Sequence, residues 1–121
     1  MSKTVLIVDD DRLNMKLSKD LLEANGYLTL QASNGRDGLD LARMHHPDLI
    51  LMDIQLPGID GYEVTRRIRT NPELTKTPII AVTSYALSGD DQKAFAAGCD
   101  GYVTKPFSPR MLLAKIREYL P

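Results

Sequence analysis

Apolar residues fall along this chain in two alternating rhythms. Short apolar, β-branched runs occupy 4–8, 27–31, 48–52, 78–82 and 101–103. Between them apolar positions recur at helical spacing: Leu13, Leu17, Leu21 and Leu22; then Leu39, Leu41 and Ala42; then Val64 and Ile68; then Ala94 and Phe95; and last Leu112, Leu113, Ile116 and Leu120. Short apolar runs mark strands, and recurrence near 3.6 residues marks helices. The punctuation agrees. Gly26 and Gly98 stand where helices should stop, and Ser88 and Ser108 where helices should start, the latter with Pro109 at the first helical position. Asp11 is placed to cap the first helix. The leucines of the first and last helices are assigned to the core.

The runs 5–8 and 49–52 are apolar at every position rather than alternating. Strands buried on both faces read that way, as in a parallel sheet covered by helices on each side. Five β-α units with no insertion longer than a loop imply an α/β fold, a doubly wound (βα)5 parallel sheet of flavodoxin-like class, with residues 1–121 as one domain. The stretch 71–77, with Pro72, reads as a connecting loop.

In open parallel sheets, ligands bind beyond the carboxyl ends of the strands, where strand order reverses. The first strand ends in Asp9 and Asp10, the third in Asp53, the fourth in Thr83 and Ser84, and the fifth in Thr104 and Lys105, followed by Pro106. The second ends in 31–33, which offers little. If the strand order is 2-1-3-4-5, the barren strand is an edge, and the first and third become neighbours at the reversal. Asp9, Asp10 and Asp53 would then meet.

Three carboxylates cannot share a pocket uncompensated. Two unit charges 4 Å apart repel by about 4 kcal/mol at an effective dielectric near 20. Either one carboxyl holds a proton at a raised pKa, or a cation sits among them. Oxygen ligands with open positions favour Mg²⁺, which keeps several waters and pairs readily with phosphate. Lys105 adds a positive charge and Thr83 a hydroxyl. A metal, a lysine, a hydroxyl and a spare carboxylate make a phosphoryl-transfer site, where catalysis is mostly positioning and charge neutralisation.

Composition narrows the setting. Of the 121 residues 43% are apolar, enough to bury one core, and the formal net charge of −1 offers no overall footprint for nucleic acid or membrane. The run Arg66, Arg67 and Arg69 reads as a solvated helix face rather than a phosphate-backbone patch. The single cysteine, Cys99, has no internal disulfide partner, which fits a reducing compartment. No apolar segment approaches the roughly 20 residues of a membrane helix. The first apolar run stops at once in Asp9, Asp10 and Asp11, against a secretory leader. A soluble cytoplasmic monomer is the expectation. His45 and His46 suit a helix C-terminus electrostatically better than they suit a metal pair, because adjacent helical positions do not face each other.

The segments VLIVDD (5–10), DLILMDIQLPGIDG (48–61), AVTS (81–84) and YVTKPF (102–107) resemble the receiver domains of bacterial response regulators, essentially from end to end. The segment NMKLSKDLLEANGY (14–27) resembles more narrowly the single-domain cell-cycle regulators of that family. The resemblance implies that Asp53 is the phosphoacceptor, Asp10 a direct Mg²⁺ ligand, Asp9 a ligand through water, and the main-chain carbonyl of Gln55 a further ligand. It implies that Thr83 and Lys105 hold phosphoryl oxygens, that Tyr102 is the switch aromatic, and that the Lys105–Pro106 bond is cis. Gln55 and Tyr85 would border the approach of water and set the phosphate lifetime. Partners implied are a sensor histidine kinase or histidine phosphotransfer protein and a downstream protein target. Whether the chain acts alone or is part of a longer regulator or hybrid kinase stays open. A phosphatase of the aspartate-nucleophile class would need a second acid two residues past Asp53, where Gln55 stands. A flavodoxin-like carrier would want a small polar phosphate loop where Asp9–Asp11 lie.

Overall fold

A computed structural model describes residues 2–84 and 90–121, with residue 90 as backbone alone. Five strands form one parallel sheet: β1 (Thr4–Val8), β2 (Leu28–Ala32), β3 (Leu49–Asp53), β4 (Ile79–Thr83) and β5 (Gly101–Thr104). The helices are α1 (Arg12–Ala24), α2 (Gly35–His45), α3 (Gly61–Arg69), α4 (Asp90–Ala97) and α5 (Pro109–Tyr119). The spatial order is β2-β1-β3-β4-β5, so β1 pairs with β2 on one side and β3 on the other. That reversal is the crevice expected of a doubly wound sheet.

Side chains alternate across the buried strands. Leu6, Val8, Ile50, Met52, Ile79 and Ala81 meet Leu39 and Ala42 of α2, Val64 and Ile68 of α3 and Ala94 of α4 on one face. Val5, Ile7, Leu49, Leu51, Ile80 and Val103 meet Leu22 of α1 and Leu112 and Ile116 of α5 on the other. Each fully buried aliphatic side chain contributes about 1.5–3 kcal/mol of transfer free energy. This two-sided burial makes β3 and β4 buried at every position and leaves β2, an edge, the most exposed strand.

Four strands, β2 to β5, run one residue further than the apolar pattern predicts, and at β3 and β4 the difference matters. Asp53 and Thr83 are still inside the ladder, in register with Val82 and Thr104. Backbone pairing is indifferent to side-chain polarity, so a run of apolar residues underestimates a strand that carries a polar residue into a site.

Helix α1 departs from expectation in its buried face. Leu13 and Leu17 are 67% and 59% exposed. The helix turns Met15, Ser18 and Leu22 inward instead. Both sets have helical spacing, and the angle at which α1 leaves β1 selects between them. In α5, Leu112 and Ile116 are buried as expected and Leu113 is half-buried, while Leu120 is buried at the helix's C-cap.

Asp11 caps α1 through the amides of Leu13 and Asn14, and Ser108 caps α5 through that of Met111. Gly26 and Gly98, at φ +89° and +114°, follow the ends of α1 and α4. Ser88 lies outside the described residues. The loop after α3 contains one 3₁₀ turn, Pro72–Leu74. Among the described residues no helix is long and apolar enough to cross a membrane.

Candidate functional site

The carboxyl ends of β1, β3, β4 and β5 open onto one crevice. Asp9 continues β1, its amide bonded to the Ala32 carbonyl at 3.0 Å, so its backbone is held at the strand end. Asp10 is exposed, whereas Asp53, the last residue of β3, is only 3% exposed. Carboxylate oxygens of all three lie within 4.8 Å of one another. Lys105, just past β5, reaches back with its Nζ 3.2 Å from Asp53 Oδ2 and 3.4 Å from Asp9 Oδ2. The Lys105–Pro106 bond is cis.

Electrostatics follows from this geometry. Burial is the largest influence on Asp53 and, reinforced by the Asp9 charge, pushes its carboxyl up to about 6. The Gln55 amide, 2.9 Å from Oδ1, and Lys105 oppose that rise without cancelling it. Burial acts on Lys105 in the opposite sense to the carboxylates, but Asp53 and Asp9 together outweigh it and raise its pKa. Lys105 is therefore, among the described residues, the ammonium paired with two of the three carboxylates, Asp9 and Asp53. With both Asp9 and Asp10 ionised the described cluster keeps a negative excess. Its donors are oxygens alone, and the exposure of Asp10 leaves an approach from solvent, a donor set suited to Mg²⁺ with water in the remaining positions.

The neighbouring chain is built to keep this cluster in place. A Cβ on Gly61 would stand 2.3 Å from the Asp53 carbonyl oxygen, so only glycine lets α3 begin against the end of β3. Thr83, 1% exposed at the end of β4, faces Gln55 Nε2 at 3.4 Å, while Gln55 Oε1 accepts the Ser84 amide at 3.2 Å. The Gln55 side chain thus bridges β3 to β4. Tyr102 is half-buried on β5 and packs against the core beneath α2, α3 and α4. Tyr85 lies outside the described residues.

Asn14 was not singled out by motif reading. Its Nδ2 donates to Asp9 Oδ2 from the first turn of α1. The signal available was its position, five residues past a strand-end acid on a helix that folds back over that strand. Beside it, Leu17, Leu21, Phe107, Pro109 and Leu112 line a groove of about 150 Å³.

The weaker sequence signals resolve as structure. Arg66 and Arg67 pair with Glu63 on the solvated face of α3. Arg69 turns back instead, donating to the carbonyls of Gly98, Leu74, Thr75 and Thr77 and pairing with Asp100 at 2.7 Å. His46 closes α2 in the left-handed region and meets Glu73 at 3.0 Å. Cys99 is buried against Thr65, and burial pushes its thiol up.

Comparison with known proteins agrees with this crevice. The family model described as the response regulator receiver domain matches residues 5–117. The polar-differentiation response regulator DivK of Brucella ovis is 50% identical over 120 residues, covering 99% of this chain and 98% of that protein. A CheY chemotaxis protein from Vibrio cholerae superposes at a TM-score of 0.94 with 28% identity, covering 98% of this chain and 99% of that one. The receiver domain of a sensor histidine kinase from Pseudomonas aeruginosa, with magnesium coordinated in its active-site cleft, superposes at 0.92 with 32% identity over 99% of this chain and 98% of that one. With its strand order, its strand-end acids and these relatives in agreement, the chain belongs to the response regulator receiver domain family.

Proposed function

We propose that this protein accepts a phosphoryl group on Asp53 from a phosphohistidine, in a Mg²⁺-dependent two-component phosphorelay. The observation that carries this reading is the convergence of Asp53 with Asp9, Asp10 and Lys105 at the β1/β3 reversal. Asp10 and Asp53 through their carboxylates, Asp9 through water and Gln55 through its carbonyl would hold the metal. Bound there, Mg²⁺ supplies positive charge to the phosphoryl oxygens.

An Asp53 oxygen attacks phosphorus in line, the P–O bond forms, and the bond to the donor imidazole breaks, with the electron pair leaving on nitrogen. With its carboxyl near 6, Asp53 is mostly ionised at neutral pH and able to attack. Lys105 exchanges a carboxylate partner for a phosphoryl oxygen, and Thr83 donates its hydroxyl to another. Movement of Thr83 makes room for the Tyr102 ring and remodels the face of α4, β5 and α5, where a downstream protein target would read the phosphorylated state. The exposed Leu13 and Leu17 beside the crevice supply an apolar apron suited to a protein donor, a sensor histidine kinase or phosphotransfer protein. The protein acts as a cytoplasmic signalling switch rather than as a turnover enzyme, in a cell-cycle pathway, a reading that its similarity to polar-differentiation response regulators supports.

Incubation with Mg²⁺ and acetyl phosphate should add one acid-stable, base-labile phosphoryl group, and Asp53→Asn should abolish it. Unchanged labelling in that variant, mapped elsewhere, overturns the reading.

A further inference from the structure

Asp9 is gripped on both carboxylate oxygens by the start of α1. Oδ1 accepts the Asp11 amide at 2.9 Å, and Oδ2 accepts the Asn14 side-chain amide. Asp11 in turn caps the helix, accepting from the Leu13 and Asn14 amides at 3.0 and 3.2 Å. The strand-end acid, the cap and the first helical turn are thus one closed ring of hydrogen bonds. Only the Nδ2 side of an Asn amide can face a carboxylate productively, because its carbonyl would repel it.

Lys105 is the other side chain on Asp9 Oδ2, at 3.4 Å. The two donors are not equivalent. Lys105 carries a charge that opposes any cation entering the cluster, and its ammonium is shared with Asp53. Asn14 is neutral, half-buried and rooted on a helix, so it can hold the carboxylate while a cation is bound and after Lys105 has turned elsewhere. A group that orients a metal-binding carboxylate from behind sets its affinity without touching the ion.

We infer that Asn14 is a positioning residue for Asp9, holding its carboxylate toward the acid cluster so that a divalent cation binds there in competition with Lys105. The inference rests on the reading of the acid cluster as a Mg²⁺ site. Without the Asn14 donor, Lys105 is left as the side-chain partner of Asp9 Oδ2, and cation entry must break that ion pair with nothing else holding the oxygen in place.

The test is titration with MgCl₂ alone, followed through amide chemical shifts, on wild type, Asn14→Ala, Asn14→Leu and Lys19→Ala. Alanine suits a helix better than asparagine, so the first variant keeps the fold, and leucine preserves the volume. Both Asn14 variants should raise the apparent Mg²⁺ dissociation constant about fivefold to tenfold, toward the lower end of what such outer contacts control. With acetyl phosphate, the Mg²⁺ concentration for half-maximal labelling should rise equally, while the rate at saturating Mg²⁺ stays within twofold. Lys19→Ala, elsewhere on α1, should bind as wild type does. No saturable response in wild type defeats the Mg²⁺ reading itself. Wild-type binding with both Asn14 variants within twofold of it overturns the positioning role alone. An equal loss in Lys19→Ala assigns the effect to the helix at large and also overturns it.

Discussion

The ammonium of Lys105 stands 3.2 Å from the Oδ2 of Asp53, although 52 residues separate them in sequence. This contact joins the third strand to the fifth across the intervening fourth, and it places a positive charge against the buried acid. Replacing the lysine by a neutral side chain should have two opposite effects. Lys105→Met should tighten Mg²⁺ about threefold to tenfold, because a competing cation has left the cluster. It should also slow labelling by acetyl phosphate at least tenfold at saturating Mg²⁺, because a phosphoryl oxygen loses its partner. Calorimetric Mg²⁺ titration beside a labelling time course measures both, and weaker metal binding in the variant would contradict the competition.

The raised carboxyl of Asp53 makes metal-free stability depend on pH. Its ordinary value lies near 4, and in the fold it lies at about 6. The native state therefore binds this proton more tightly than the unfolded chain does. That contribution is complete below about pH 4 and is lost as pH rises through 6, a loss of up to about 3 kcal/mol. In the presence of a chelator, Asp53→Asn should be about 1–3 kcal/mol more stable than wild type at pH 7. The gain should shrink toward zero near pH 4. Denaturant unfolding at the two pH values decides the sign, and a less stable Asn variant at pH 7 refutes it.

Thr83 sits behind the site, buried and facing the Gln55 amide. Thr83→Ala should still accept phosphate on Asp53 but lose the change in partner binding. In wild type, amide shifts on activation should extend through residues 84–108, and in the variant they should stop near the acid cluster. Activation shifts that spare 84–108 in wild type would sink the switch.

Phosphate should leave slowly. Hydrolysis needs a water in line behind phosphorus, and Gln55 is too weak a base to activate one. Its amide is moreover already engaged with Thr83 and Ser84. By the resemblance to receiver domains that assigns position 85 to lifetime control, Tyr85→Glu should speed decay of the isolated phosphoprotein by supplying a carboxylate acceptor for the water. A wild type that decays faster than the variant rejects the idea.

Gly61 tests the scaffold rather than the chemistry. Gly61→Ala would drive a methyl to within 2.3 Å of the Asp53 carbonyl oxygen, and backbone must move to admit it. A loss of about 2–3 kcal/mol in unfolding free energy is expected, as for overpacking in a tight core. Labelling of the folded fraction should fall as well, since the displaced atoms belong to the phosphoacceptor's own residue. Wild-type stability in this variant would show that α3 can retreat freely.

Much of this protein was legible in its sequence because the relevant constraints are local and periodic. Continuous apolar runs at 5–8 and 49–52 require burial on both faces, which leaves few architectures besides a helix-covered parallel sheet. In that architecture strand ends collect at one edge, so Asp9, Asp10, Asp53, Thr83 and Lys105 could be named as neighbours once the order 2-1-3-4-5 was supposed. Tertiary structure decided what periodicity leaves degenerate. Helix α1 offers a Leu13, Leu17 and Leu21 stripe and a Met15, Ser18 and Leu22 stripe, both at helical spacing. Only docking of α1 against β1 and α5 exposes Leu13 and Leu17 and buries the polar Ser18. The same rotation turns Asn14 toward Asp9, which no motif announces. Arg69 likewise sits in a basic run that reads as a solvated face, yet it reaches the carbonyl of Gly98, 29 residues away, and that of Leu74 in the loop after its own helix. A sequence records which residues are able to bury or to donate; which of them do so is set by the angles at which helices leave strands, and those angles are a property of the whole packed chain.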